Sequence, residues 1–377
     1  MEIYEIPDCI LLNFLLDETM HTHRNQIQYS GSIEQIQMRR ALKWDAFKDY
    51  ETIQHQIDHN VHTFRKGFTF TPFANPRVCN AHCCFCSEEL RRVGQHIPTS
   101  KTLIGDYEHY FKALDHALQD LNPMQFGLSL SGLEATVELR WLLGLLEVLH
   151  THRDRFDERV LYTNGSGFVN SAQIVKALVE FGFDRFEISR CHHDERVNQK
   201  IMRFDKAEPI ACNASFETLF SNQALRQRSK VSCILTDKGI KTEADIVCFL
   251  KWCDALGVTQ VVFRELSMLP EHSYEDNYES RWIGQNRVSI DSILQGMTAH
   301  PSFEFMHSAS GYYYYNETYK WRGIEVTFET SSYGALMTQN ASNVIHKLVF
   351  HSNGNLTTDW DPQCMIVKQY SHVNPLF

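Results

Sequence analysis

Three cysteines spaced Cys79-x3-Cys83-x2-Cys86 constrain this chain more than any other feature. They lie in Arg77-Val-Cys-Asn-Ala-His-Cys-Cys-Phe-Cys-Ser87, one short polar loop. Soft thiolates select iron–sulfur clusters, zinc or copper(I). Ferredoxin-type clusters take four Cys, and no fourth Cys stands at a spacing that closes this set. A three-thiol loop leaves a coordination position open, and an open position is where a metal does chemistry. Two other readings compete. A structural zinc site wants four tetrahedral ligands. His82 is the candidate fourth ligand, but it adjoins Cys83, so the two side chains would struggle to reach one ion. Buried Cys acting as small hydrophobes account for scattered thiols better than for a cluster. Cys84 breaks the spacing and is not read as a ligand.

Phe85 stands directly before the last Cys of the loop. With that aromatic residue, the spacing resembles the radical S-adenosylmethionine (radical SAM) superfamily. The resemblance implies that Cys79, Cys83 and Cys86 hold a [4Fe–4S] cluster, with Phe85 beside the cofactor. The fourth iron would chelate the amino and carboxylate groups of S-adenosyl-L-methionine. It also implies an electron donor such as flavodoxin or ferredoxin, and a 5′-deoxyadenosyl radical that abstracts hydrogen from an unactivated C–H bond.

The rest of the chain reads as alternating strands and helices after residue 66. Strands are expected at Phe68–Phe73, Phe126–Leu130, Val160–Thr163, Arg185–Ser189, Val231–Leu235 and Gln260–Leu266. Helices are expected over Asp106–Leu121, Ala135–His150, Ser171–Phe181, Asp194–Met202, Phe216–Arg228 and Thr242–Leu256. Gly182 and Gly257 sit in C-cap positions, and Thr242-x-x-Asp245 and Ser32-x-x-Gln35 are capping patterns. Serial strand–helix units imply a parallel sheet with right-handed crossovers. The expected fold is α/β: a partial (β/α)6 TIM-like parallel barrel over residues 66–270. Residues 1–65 are expected as a helical extension and residues 271–377 as a small C-terminal α+β cap. Tyr312–Tyr315, Ile324–Glu329 and Ile345–Phe350 read as strands of that cap. Ligands then belong at the carboxyl ends of the barrel strands, where the Cys loop falls.

Other strand ends carry polar residues. After the second comes Ser131-Gly132-Leu133-Glu134-Ala135-Thr136. Gly132 permits close backbone approach. Glu134 can accept from an ammonium group, or it can simply favour a helix N-terminus. The placement resembles the Gly-Gly-Glu-Pro motif of radical SAM enzymes, and only Gly132 and Glu134 carry over. Thr163-Asn164-Gly165 follows the third strand; the family often carries such a turn beside the cofactor, and the same tripeptide is an ordinary turn signal. After the fourth strand comes Ser189-Arg190-Cys191-His192-His193-Asp194. By the resemblance, Ser189 and Arg190 bind the cofactor's ribose or carboxylate, to which an Arg fork is suited. Cys191 is a candidate hydrogen-atom donor or a buried inert thiol. His192, His193 and Asp194 are candidates for substrate contact and proton transfer, or a solvated loop with Asp194 as N-cap. Glu265 is expected to face the pocket from the sixth strand.

Charge narrows the partners. With 36 Lys and Arg against 46 Asp and Glu, the formal net charge is −10. That argues against nucleic acid, because phosphate neutralisation needs a basic surface. Eleven Cys, an odd number, suit a reducing compartment. The apolar stretch Cys9–Leu16 is short and follows Glu2 and Glu5, so it is not read as a signal peptide. The expectation is a soluble, cytoplasmic protein acting on a small polar molecule such as a sugar, nucleoside or biosynthetic intermediate. A peptide-modifying radical SAM enzyme and a non-enzymatic zinc-binding protein are the alternatives.

Overall fold

In the computed structural model the described residues are 22–23, 26–29, 31–47, 50–95 and 101–370. They form a mixed α/β fold built on one long sheet. Strands β1 (Thr22–His23), β2 (Gln26–Tyr29) and β3 (Thr52–Ile57) come first. Then follow β4 (Asn60–Pro72), β5 (Phe126–Leu130), β6 (Phe156–Thr163), β7 (Arg185–Ser189), β8 (Ser229–Leu235) and β9 (Gln260–Glu265). The remaining strands are β10 (Glu304–Ser310), β11 (Tyr314–Trp321), β12 (Ile324–Ser331), β13 (Val344–Phe350), β14 (Asn355–Thr357) and β15 (Ile366–Gln369).

β4 to β9 lie side by side in chain order, every neighbouring pair parallel. The parallel run continues on both sides, with β13 on β4 and β12 on β9. Antiparallel strands finish each wing: β14 and β15 beyond β13, and β11, β10, β2 and β1 beyond β12. The C-terminal strands therefore do not stand apart as a small cap. An edge strand exposes a row of unpaired backbone groups, and β12 and β13 pair with both edges of the β4–β9 run. Among the described residues before 66, a segment expected to be helical, the helix Ile33–Leu42 and the short 3-10 turn Lys43–Ala46 stand among strands. The Ser32–Gln35 capping box of that helix forms as read. The hairpin of β3 and β4 turns between Ile57 and Asn60. Its outer strand, Thr-Ile-Gln-His-Gln-Ile, is polar and exposed at alternate positions, a pattern easily passed over because only its Ile side chains report burial. The stretch Cys9–Leu16 lies outside the described residues.

Helices cover one face. Asp106 caps Tyr107–Asp120 by accepting from the His109 N–H at 3.1 Å. Ser171 caps Ala172–Phe181, which ends on Gly182 at φ 87°. The Thr242–Asp245 box starts Glu243–Ala255. The helix expected from Ala135 begins only at Leu139, because residues 131–137 are committed to the site below. The helix expected over Phe216–Arg228 is broken into Asn213–Thr218, Leu219–Ser221 and Gln223–Arg226; Asn222 caps a new start by accepting from the N–H groups of Ala224 and Leu225. Trp141, Leu142, Leu145 and Leu149 are wholly buried and share one core with Phe126, Phe186 and Phe263 of the sheet. Each such side chain contributes about 1.5–3 kcal/mol by leaving water. No helix among the described residues is long and apolar enough to cross a membrane.

Candidate functional site

The chain leaves β4 and immediately touches the end of β5. Ala74 N–H donates to the Ser131 carbonyl at 2.8 Å, and Leu133 N–H donates to the Ala74 carbonyl at 2.7 Å. Gly132 makes this approach possible. Its φ is +128°, and a Cβ there would sit 2.8 Å from the Ala74 nitrogen. A Gly132→Ala variant pays both strain of about 1–3 kcal/mol and a backbone shift at the root of the Cys loop. It is expected to melt several degrees lower, checked by thermal unfolding.

Cys79, Cys83 and Cys86 are half-buried free thiols. They line one cavity of about 180 Å³ together with Leu133, Lys101 and Arg203. Burial pushes the Cys79 thiol up to about 12, and pushes Cys83 and Cys86 up as well. Neighbouring carboxylates act in the same direction, Glu134 on Cys79 and Glu88 on Cys86. Positive charge from a metal is what would make these groups thiolates. Among the described residues no three His, Cys, Asp or Glu side chains converge on a position for a single ion. A cube-shaped cluster asks for something else: each thiolate takes a different iron, so the sulfurs share a cavity rather than a point.

The remaining loop residues are tied to the helix Glu195–Met202. Cys84 N–H donates to the Ile201 carbonyl at 2.9 Å, His82 N–H to Arg203 at 3.2 Å, and Asp205 N–H to Asn80 at 3.0 Å. The Cys84 sulfur is buried, 3.5 Å from the Lys200 carbonyl and 3.4 Å from the Tyr278 hydroxyl. The His82 ring is exposed and lies 3.2 Å from Asp205. Phe85 packs near Trp282, ring centroids 6.3 Å apart.

Glu134 joins the ends of β5 and β6. Its Oε1 accepts from Thr136 N–H (3.1 Å), Thr136 Oγ1 (2.6 Å) and Thr163 Oγ1 (2.7 Å), and its Oε2 accepts from Asn164 N–H (2.6 Å). Only 2% of the residue is exposed. Burial pushes its pKa up, while those donors pull it down, and burial wins. Oε1 is saturated; Oε2 keeps acceptor capacity for one more donor. Asn164 turns the other way, donating to Asn80 Oδ1 at 2.8 Å and approaching the Cys79 sulfur at 3.9 Å. Glu134 and the Thr-Asn-Gly turn are thus one unit that reaches a cysteine. Thr163 was read in the sequence only as part of the Thr-Asn-Gly turn, and Thr136 and Asn80 were given no role of their own; each is legible only as a partner.

At the end of β7, Ser189 is half-buried opposite Ser232. Arg190 is 1% exposed. Its guanidinium donates to the carbonyls of Ile210 (3.1 Å) and Ala211 (3.5 Å) and to Asn213 Oδ1, and lies 4.9 Å from the centre of the Phe216 ring. Burial lowers its pKa to about 10. Cys191 is fully buried, its thiol pushed up to about 12 by desolvation. The rings of His192 and His193 stack at 4.4 Å, and burial lowers both pKa values. Asp194 Oδ1 accepts from Arg196 N–H (2.7 Å) and Val197 N–H (3.3 Å), which makes it the N-cap. None of these six residues lines the cavity of the three thiols.

Glu265 is not brought to the thiols either. It sits beside the helical layer and pairs with Arg287. Its neighbour Arg264 takes the opposite face, donating to Glu187 Oε2 at 2.6 Å, with Glu329 at 3.4 Å and the Tyr162 ring 5.6 Å from its guanidinium carbon. Arg185 joins the same Glu187 at 3.1 Å. Burial opposes ionisation of Glu187, but Arg264 and Arg185 overcome it and hold its pKa down. The face of the sheet away from the main helical core therefore carries an ion-paired polar floor. Its sequence signal was the alternation Arg185-Phe-Glu-Ile-Ser189, polar on one parity and apolar on the other.

No family model matches this chain, and no curated protein matches it. Similar solved structures include SuiB from Streptococcus suis bound to S-adenosylmethionine, at 11% identity and TM-score 0.46, covering 79% of this chain and 61% of that one. Another is anSMEcpe with bound AdoMet, at 16% identity and TM-score 0.39, covering 54% of each. Coproporphyrinogen III oxidase (HemN) from Escherichia coli, described as a radical SAM enzyme, is 12% identical at TM-score 0.38, covering 68% of this chain and 67% of that one. The chain thus spans about 61% of the length of SuiB.

Proposed function

We propose that this chain is a radical SAM enzyme acting on a small polar molecule. One observation carries the reading: three half-buried thiols of a single loop, placed after the first strand of a serial parallel run, line one cavity. The donor set fits a [4Fe–4S] cluster held by Cys79, Cys83 and Cys86, because Cys84 is turned into the protein and no three donors among the described residues converge on a single ion; His82 lines the same cavity and would be the fourth ligand of the zinc alternative. When bound, the cluster and S-adenosyl-L-methionine supply reductive cleavage to a 5′-deoxyadenosyl radical.

The chain's own residues do the positioning. Gly132 lets the β5 end close against Ala74. Glu134 fixes the Thr163–Gly165 turn and offers Oε2 to an ammonium donor, and Asn164 places an amide near the Cys79 sulfur. Such outer donors tune a cluster's potential and hold its ligands. Ser189 and Arg190 are proposed for the cofactor's ribose and carboxylate, Phe85 for its flank, and Glu265 for support through Arg287. Cys191, His192, His193 and Asp194 are proposed at the edge of the substrate space. The parallel run β13–β4–β9–β12 is read as a curled partial barrel whose polar floor, Glu187 with Arg264 and Arg185, suits a polar substrate. An electron donor such as flavodoxin or ferredoxin and a cytoplasmic setting belong to the same proposal.

The test is anaerobic iron–sulfide reconstitution, then reduction with S-adenosyl-L-methionine present. Expected are about four iron and four sulfide per chain and formation of 5′-deoxyadenosine. Stoichiometric zinc without sulfide would overturn the proposal in favour of a zinc protein.

A further inference from the structure

Strand β13 contains an irregularity that aims two consecutive side chains the same way. Its register with β4 runs Ile345 to Phe64, then shifts, and resumes with Lys347 opposite Thr69. Ile345, Leu348 and Phe350 all belong to the main helical-side core. The step from 345 to 348 is three residues, not an even number, so His346 and Lys347 both fall on the other face. Bulges of this kind re-aim side chains and concentrate near functional sites. Thr69 is three residues before the end of β4, whose following loop holds the thiols.

Both side chains are 4% exposed. Among the described residues Lys347 Nζ has no hydrogen-bond partner, and neither does either ring nitrogen of His346. The Lys347 ammonium lies 4.4 Å from the centre of the Trp360 ring. His346 stacks on Tyr312 at 4.8 Å and meets Tyr50 edge-on at 5.0 Å. The acidic groups that act on Lys347 are Asp359 and Glu88. Asp359 is already engaged by Arg92 at 2.8 Å and Asn340 at 3.0 Å. Burial lowers the Lys347 pKa to about 7, and its Nζ has no hydrogen-bond acceptor among the described residues, so an anionic acceptor brought beside it would restore the charged form. Two donors without acceptors ask for an anion. Asp359 and Glu88 would repel a dianion, and the aromatic flanks favour a carboxylate over a phosphate.

We infer that the bulged pair His346–Lys347 is a binding subsite for a carboxylate group. That this carboxylate belongs to the substrate rests on the radical SAM reading; the subsite itself does not.

Calorimetric titration of the full chain with sodium benzoate, benzamide and inorganic phosphate tests it, with wild type and Lys347→Met compared. Benzoate is expected to saturate one site, benzamide to bind more weakly, and phosphate to give no saturable heat. Lys347→Met is expected to weaken benzoate roughly ten- to a hundredfold, the range of a charge-assisted hydrogen bond, yet to melt no lower than wild type. The inference is overturned if benzoate gives no saturable heat. It is also overturned if phosphate binds as well as benzoate, or if Lys347→Met lowers the melting temperature while leaving benzoate affinity unchanged. Iron and sulfide are measured on the same wild-type preparation. Benzoate binding without a cluster overturns the radical SAM reading alone; a cluster without benzoate binding overturns the subsite alone.

Discussion

Cys83→Ala is expected to take up no stoichiometric iron under anaerobic reconstitution and to form no 5′-deoxyadenosine above background. Loss of an outer partner of a metal ligand typically costs 10–100-fold in affinity, and loss of one ligand from a set of three costs more. Asn164→Ala supplies the graded comparison. It removes the amide 3.9 Å from the Cys79 sulfur and is expected to weaken iron retention about tenfold without abolishing it. Before reconstitution Cys83→Ala and wild type are expected to melt alike. Afterwards wild type alone gains stability, because a metal that binds only the folded chain stabilises it by mass action. Wild-type cofactor cleavage by Cys83→Ala would refute the ligand assignment.

Glu134→Ala is the second large effect. It strips acceptors from two backbone N–H groups, those of Thr136 and Asn164, and from two threonine hydroxyls. The hydroxyls can rotate to new partners; the N–H groups cannot. A buried donor left unsatisfied costs about 1–3 kcal/mol, so the two together lower the melting temperature by several degrees. The radical reading adds loss of cofactor cleavage, which a purely structural Glu134 would not explain in the milder Glu134→Gln variant. Glu134→Gln also tests the titration. Burial raises the Glu134 carboxyl above its ordinary 4.5. A raised folded-state pKa contributes stability that is fully present below the unfolded value and is lost as pH rises through the folded one. The margin of wild type over Glu134→Gln is therefore expected to be largest at acid pH and to narrow as pH increases, read from melting curves across that range.

The central architecture was legible because its signals are local. Alternating apolar runs gave β5 and β7 to the residue, and Thr242, Asp245, Ser171 and Gly182 marked helix ends by chemistry that needs no tertiary context. The wings were not. β3 is a polar edge strand, and the pairing of β12 and β13 with opposite sides of the parallel run is a long-range choice that no periodicity encodes. The site divides the same way. The cysteine spacing is a local pattern. The use of Glu134 depends on donors roughly thirty positions away in the chain, and Glu265 was placed one residue out of phase: in a strand a single step changes the face, so Arg264 has the polar side. The β13 bulge breaks that two-residue rule itself, which hid Lys347.

The loop that carries the thiols shares main-chain bonds with residues 201–205, as Cys84, His82 and Asp205 show. Amides bonded to one another in this way are expected to open together. Removal of the proposed cluster is therefore expected to speed deuterium uptake at the C-terminal end of the helix Glu195–Met202 as well as in the loop. Oxidative damage at the thiols would then spread as local melting to the end of that helix and residues 203–205, rather than leave them undisturbed.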